Sequence, residues 1–179
     1  FVVRGEVFVT SVEGGITKRI TNTPEQERSV SFSPDGKSIL YASERNNIWG
    51  IYKSSLIRNN ELHFFNSTIL KEEPILVGNT EVFQPAFSPD GKTLATGSFD
   101  SDIRTWDLNG RVHYVIPGSK SGGSQGHVES VNALIFSTSG QVIYSGGDDG
   151  QIKGWTASTG DSLLSWAAHS GPISELDIA

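Results

Sequence analysis

Neither cysteine nor methionine occurs anywhere in the 179 residues. Without cysteine there is no disulfide framework and no thiolate metal site. A chain free of thiols tolerates either redox state, so the compartment stays open. The joint absence also points to an edited sequence. No apolar run reaches the ~18 residues that a membrane span needs. No segment has the parts of a signal peptide. The chain opens on Phe1 without a methionine, and is read as processed, trimmed or part of a longer chain. Basic residues are scarce in the second half. Residues 93–179 hold 4 basic and 9 acidic side chains, whereas residues 1–92 hold 10 and 11. An acidic half argues against nucleic acid as a partner and fits a solvated surface.

Glycine is abundant instead, at 20 residues. It punctuates short apolar runs, the pattern of an all-β chain. Self-similarity sets the architecture. Thr96, Asp100, Ile103 and Trp106 recur as Ser145, Asp149, Ile152 and Trp155, every offset being 49. His127 recurs as His169 and Phe136 as Ile178, at an offset of 42. The extra length of the first interval lies in the polar insert Ser119–Gln125. A period of ~40–45 residues with short strands is that of propeller blades.

Trp106-Asp107 closing a strand, and Gly126-His127 ahead of another, resemble the WD-repeat family over residues 92–179. Trp155 departs from the pattern, since Thr156 follows it. The resemblance implies a hydrogen-bonded structural tetrad of His127, Ser145, Asp149 and Trp155. It implies a partial one of Thr96, Asp100 and Trp106, because no Gly-His stands in the preceding loop Leu76–Thr80. His169 is expected to lack a tetrad.

Residues 1–92 repeat differently. Phe32-Ser33-Pro34-Asp35-Gly36-Lys37 recurs 55 residues later as Phe87-Ser88-Pro89-Asp90-Gly91-Lys92. This half resembles propeller blades of tricorn-protease-like and TolB-like proteins, without their protease part. The change of family at the shared turn leads us to expect two half-propellers, 1–92 and 93–179, joined at Phe87–Lys92. On that reading the chain is an engineered or recombinant chimera, a scaffold with no native activity. The alternative is a natural propeller fragment serving as a protein–protein interaction module.

With blade strands labelled a to d from the axis outward, the pattern predicts b-c-d over Phe1–Arg4, Glu6–Ser11 and Ile16–Thr21. Three complete blades follow, and then a lone a strand, Ile173–Ala179. The last strand would complete the first blade, giving a four-bladed all-β propeller and hiding sheet edges. Four wedges need a sharp splay, so a homodimer closing an eight-bladed ring by strand exchange is the expected assembly.

Ser, His and Asp together raise a hydrolase triad, but their order and repeat position fit the tetrad. Gly122–Gly126 matches G-x-S-x-G with Ser124 at its centre, yet a nucleophile elbow needs a strand before it and a helix after. Lys120 lacks the phosphate-loop frame, and Asp100/Asp102 and Asp148/Asp149 lack calcium-loop spacing. Asn66-Ser67-Thr68 is a sequon of use only in a secreted chain. Arg58–Phe65 reads as a long c–d excursion, its paired phenylalanines packing locally. No catalytic residue, cofactor or metal is implied. The expected partners are a second copy, and a peptide or protein on the loop face.

Overall fold

In the computed structural model the described residues are 1–78 and 82–178. They divide into two compact units, Phe1–Asn79 and Thr80–Ala179. The first holds a three-stranded sheet of β1 (Val2–Val3), β2 (Glu6–Thr10) and β3 (Thr17–Arg19). Its second sheet has β4 (Glu27–Phe32), β5 (Ser38–Arg45), β6 (Ile48–Leu56) and β7 (Leu70–Val77). The second unit holds a third sheet of β8 (Val82–Phe87), β9 (Thr93–Ser98), β10 (Ile103–Asp107) and β11 (Val112–Ile116). Its fourth sheet has β12 (Val131–Phe136), β13 (Val142–Gly147), β14 (Gln151–Thr156) and β15 (Ser162–Ala167). Every sheet is an antiparallel meander in chain order.

The turns explain why these runs pair. Asp35 Oδ1 accepts from the Ser33 hydroxyl at 2.6 Å and from the Lys37 amide at 3.0 Å. Asp90 does the same for Ser88 at 2.6 Å and Lys92 at 3.1 Å. Gly36 and Gly91 share a φ of 68°, which a side chain would resist. Identical words thus build identical hairpins, β4–β5 and β8–β9. Asn46 and Asn47, at φ of 54° and 60°, make the two-residue β5–β6 turn that matches strand twist.

In the first unit Val7, Ile39, Tyr41, Tyr52 and Phe64 form a buried cluster. Phe64 opens a single 3₁₀ turn, Phe64–Asn66, within the expected c–d excursion, and its ring meets Phe32 edge-on at 5.9 Å. In the second unit Ala95, Ile103, Val131, Leu134, Ile143 and Trp155 lie in one core between the third and fourth sheets. Gly97 allows the closest approach there, since a Cβ on it would stand 2.6 Å from the Val131 carbonyl.

The expected strand Ile173–Ala179 carries no strand over residues 173–178, and Ala179 lies outside the described residues. Ile173 donates its amide to Gly147 O at 3.0 Å and packs on Gly146. Ile173 therefore docks on the fourth sheet through one backbone hydrogen bond, and residues 174–178 add no ladder to it.

Candidate functional site

His127 lies in the β11–β12 connection and is fully buried. Its Nδ1 stands 3.0 Å from both Asp149 oxygens, and its Nε2 2.8 Å from Ser145 Oγ. The Trp155 indole N–H donates to the same Oγ at 2.8 Å. The ionised carboxylate only accepts, so Nδ1 carries a hydrogen; in the neutral ring Nε2 is then the acceptor and the Ser145 hydroxyl donates to it. Asp149 also accepts from the amides of Val128 at 3.0 Å and Gln151 at 3.1 Å. Burial pushes the His127 pKa down, against the pull of Asp149, and Lys153 adds to the depression. Burial alone would raise Asp149, but the Val128, His127 and Gln151 contacts together hold it below the usual carboxylate range. The structure thus brings all four predicted residues into one chain of hydrogen bonds across β13, β14 and the connection.

Of the second set, Trp106 donates to Thr96 Oγ1 at 2.9 Å. Asp100 is held by a residue the sequence reading missed. The Arg104 guanidinium meets Asp100 at 2.7 Å and Asp102 at 2.8 Å. Asp102 in turn accepts from the Gly118 amide at 2.8 Å. Where the fourth sheet ties its incoming connection with His127 and Asp149, the third ties its outgoing one with Arg104 and Asp102. An Arg two residues after one aspartate and four after another was the available signal.

The first unit has its own ties. Glu6 takes the Arg19 guanidinium and the Thr21 hydroxyl, which more than offset the rise that burial would bring. Glu72 is lowered chiefly by Arg45, whose guanidinium grips it at 2.7 and 3.0 Å. Tyr41 donates to the same carboxylate, and burial first, then Glu72, raises the phenol's pKa. Arg45 also lies 3.8 Å over the Tyr52 ring.

The remaining motifs serve the chain itself. Ser124 stands exposed in a loop that follows a 3₁₀ turn, Ser119–Ser121, and leads into β12 rather than a helix. Lys120 donates to Phe99 O at 3.1 Å and lies 4.6 Å over its ring. His169 is exposed, its Nδ1 accepting from Gly171 N at 3.1 Å. Asn66 is exposed, while Ser67 is buried and takes Lys18 at 2.7 Å. Asn79 and Thr80 of the Leu76–Thr80 loop lie outside the described residues.

The first unit also opens a groove of about 450 Å³ lined by Val9, Val12, Phe32, His63, Phe64 and Phe65, among others. His63 stacks on Phe65 at 5.1 Å. Val12 is wholly exposed and Phe32 half-exposed at its rim.

Residues 72–107 and 119–156 match the family described as WD domain, G-beta repeat. Cilia- and flagella-associated protein 52 of Chlamydomonas reinhardtii is 28% identical over 153 residues, covering 85% of this chain and 20% of that protein. The crystal structure of RRP9 WD40 repeats superposes with a TM-score of 0.64 at 21% identity, over 87% of this chain and 42% of that one. The crystal structure of the mitotic checkpoint complex gives 0.62 at 17%, over 95% and 48%. The chain therefore spans less than half the length of each. At such identities the structures establish the fold alone, an all-β propeller of antiparallel blades. The WD match starts at Glu72, upstream of the Phe87–Lys92 turn, and a 153-residue alignment necessarily runs through that turn. The comparisons therefore give no support to a junction between two families there, nor to tricorn-like blades or an engineered chimera. The two copies of the turn make the same side-chain hydrogen bonds.

Proposed function

We propose that this chain is part of a protein–protein interaction module and not an enzyme, and that its groove in the first unit takes an apolar segment of a partner protein. The observation that carries the reading is a division of labour among side chains. The Ser, His, Asp, Glu and Arg constellations are spent on one another, whereas Val12 and Phe32 stand exposed beside an aromatic-lined groove. Ser145 makes a poor nucleophile: it is fully buried and its oxygen already serves Trp155. We assign His127, Ser145, Asp149 and Trp155, with Thr96, Asp100 and Trp106, a structural role. The description of one similar protein, as associated with cilia and flagella, suits such a module.

The test is a peptide-display selection against the full chain. Selected peptides should lose at least tenfold in affinity for Val12→Glu and Phe32→Ser, with melting temperature unchanged for the first. Binders indifferent to both changes would defeat the reading.

A second reading rests on the three-stranded first sheet, whose β1 has one partner among the described residues. A strand from a second copy would extend it, and Ile173–Ala179 is the segment expected from the sequence to supply it. Light scattering coupled to size exclusion should then return twice the chain mass. A stable monomer would remove the strand-exchanged dimer.

A further inference from the structure

Four sheets carry four different polar ties, and they differ in one chemical respect. In the first three the cation is an arginine, Arg19, Arg45 or Arg104, which holds its proton at any physiological pH. In the fourth the base is His127, which does not. The groups around His127 are Asp149 and Asp148 on the β13–β14 turn, Lys153 on β14, and Glu129 on its own connection, the last paired with Lys120 at 3.4 Å. Asp148 is occupied by the Asn132 amide at 2.6 Å, and Lys153 by the Ser165 hydroxyl at 3.1 Å. The third sheet, packed against β12, presents Arg104 already neutralised by Asp100 and Asp102.

We infer that the His127–Val128 end of the β11–β12 connection is a proton-operated latch: one proton on His127 Nε2 releases it from the fourth sheet, while Ser130 O stays held by the Asp148 amide at 2.9 Å and Gly118 stays fastened by Asp102 and Arg104. The cause is the arithmetic of one hydroxyl. In the neutral state Ser145 donates to Nε2 and accepts from Trp155. Once Nε2 carries a proton it must donate, so Ser145 Oγ receives two donors and its own hydrogen loses the acceptor it had. A buried hydroxyl left unpaired, beside a newly charged ring near Lys153, disfavours the closed form. Opening lets the imidazolium reach water. Val128, whose amide is held by Asp149, moves with it.

The sign follows. In the open form the imidazole has its ordinary pKa near ~6.5; in the closed form it is lower. The latch is fully shut above ~6.5, and below it the open fraction rises about tenfold per pH unit. Amide and indole exchange measured by nuclear magnetic resonance on the full chain reads this directly. Between pH 7.5 and 5.5 the protection factors of the Val128 amide and the Trp155 indole N–H should fall about tenfold per unit below ~6.5, with that of the Gly118 amide constant. The nitrogen shifts of His127 should report a neutral Nδ1–H ring at pH 7.5. Equal protection at both ends of the range, loss at Gly118 in step with Val128, or an imidazolium already present at pH 7.5 would each overturn the latch. None of these readings needs a variant, so a misfolding substitution cannot obscure them.

Discussion

At the scale of single residues, stability in this chain turns on who holds whose hydrogen. His127→Ala removes the acceptor of the Ser145 hydroxyl and the donor to Asp149 in a buried place. The expected cost is ~1–3 kcal/mol, the usual penalty of a buried polar group left unpaired, measured as a lowered melting temperature; no change would remove His127 from the structural set. Arg104→Ala should cost about 3 kcal/mol, near the low end for breaking a buried pair, because Asp102 keeps its place beside Gly118 with no cation. Arg104→Lys should recover only part of that loss, since an ammonium does not reach two carboxylates as a planar fork does. Denaturant titrations of the two variants would rank them, and equal stability of Lys and Ala would show that the bridge, not the charge, is all that counts. The sequence disclosed the His127 set because its members recur at a fixed spacing. It was silent on Arg104, and on Tyr41 with Glu72, 31 residues apart, because no repeat marks those pairs.

At the scale of elements, the period-2 runs and Asp-Gly turns made nearly every strand legible, with boundaries off by a residue or two where ladders run into a turn. What remained hidden was contact between sheets, which depends on depth and not on alternation. Gly97 is an instance. In sequence it is one of many glycines in turns and strand ends, yet in the fold it lets the Val131 backbone come close. Gly97→Ala puts a methyl within clashing range of a backbone oxygen that lies inside the core of the third and fourth sheets. Overpacking of that kind costs ~1–3 kcal/mol, so the variant's melting temperature should drop and the Trp155 indole signal should shift. The same substitution at exposed Gly122, where nothing lies within 4 Å but φ is 87°, isolates backbone strain from crowding. A Gly97→Ala protein as stable as the parent would mean the sheets can slide apart freely. The terminal segment beyond Ile173 shows the converse limit: its apolar residues predict a strand, yet residues 174–178 form none.

At the scale of the whole molecule, one carboxylate in each sheet ties strands together: Glu6, Glu72, Asp100 and Asp149. All four are held below their ordinary pKa in the folded chain. For Asp100 burial works the other way, but the Arg104 and Asp102 contacts outweigh it. The unfolded chain, with ordinary carboxylates at ~4, therefore takes up protons before the folded one does as pH falls. Their contribution to stability is complete above ~4 and drains away below it. His127 drains earlier, from ~6.5 downward, and only at the fourth sheet. Two acid steps should result. Far-ultraviolet circular dichroism should keep the strand signal from pH 8 to 5 while Trp155 exchange changes, and the melting temperature should then drop steeply below ~4, where the ties of all four sheets are lost within the same interval. Raising the salt at pH 7 should weaken the half-exposed Arg19–Glu6 tie more than the buried His127 set, because screening reaches charges in contact with water. A melting temperature at pH 3 equal to that at pH 7 would show that the four ties add nothing to folding, leaving burial of the two apolar cores as its whole support.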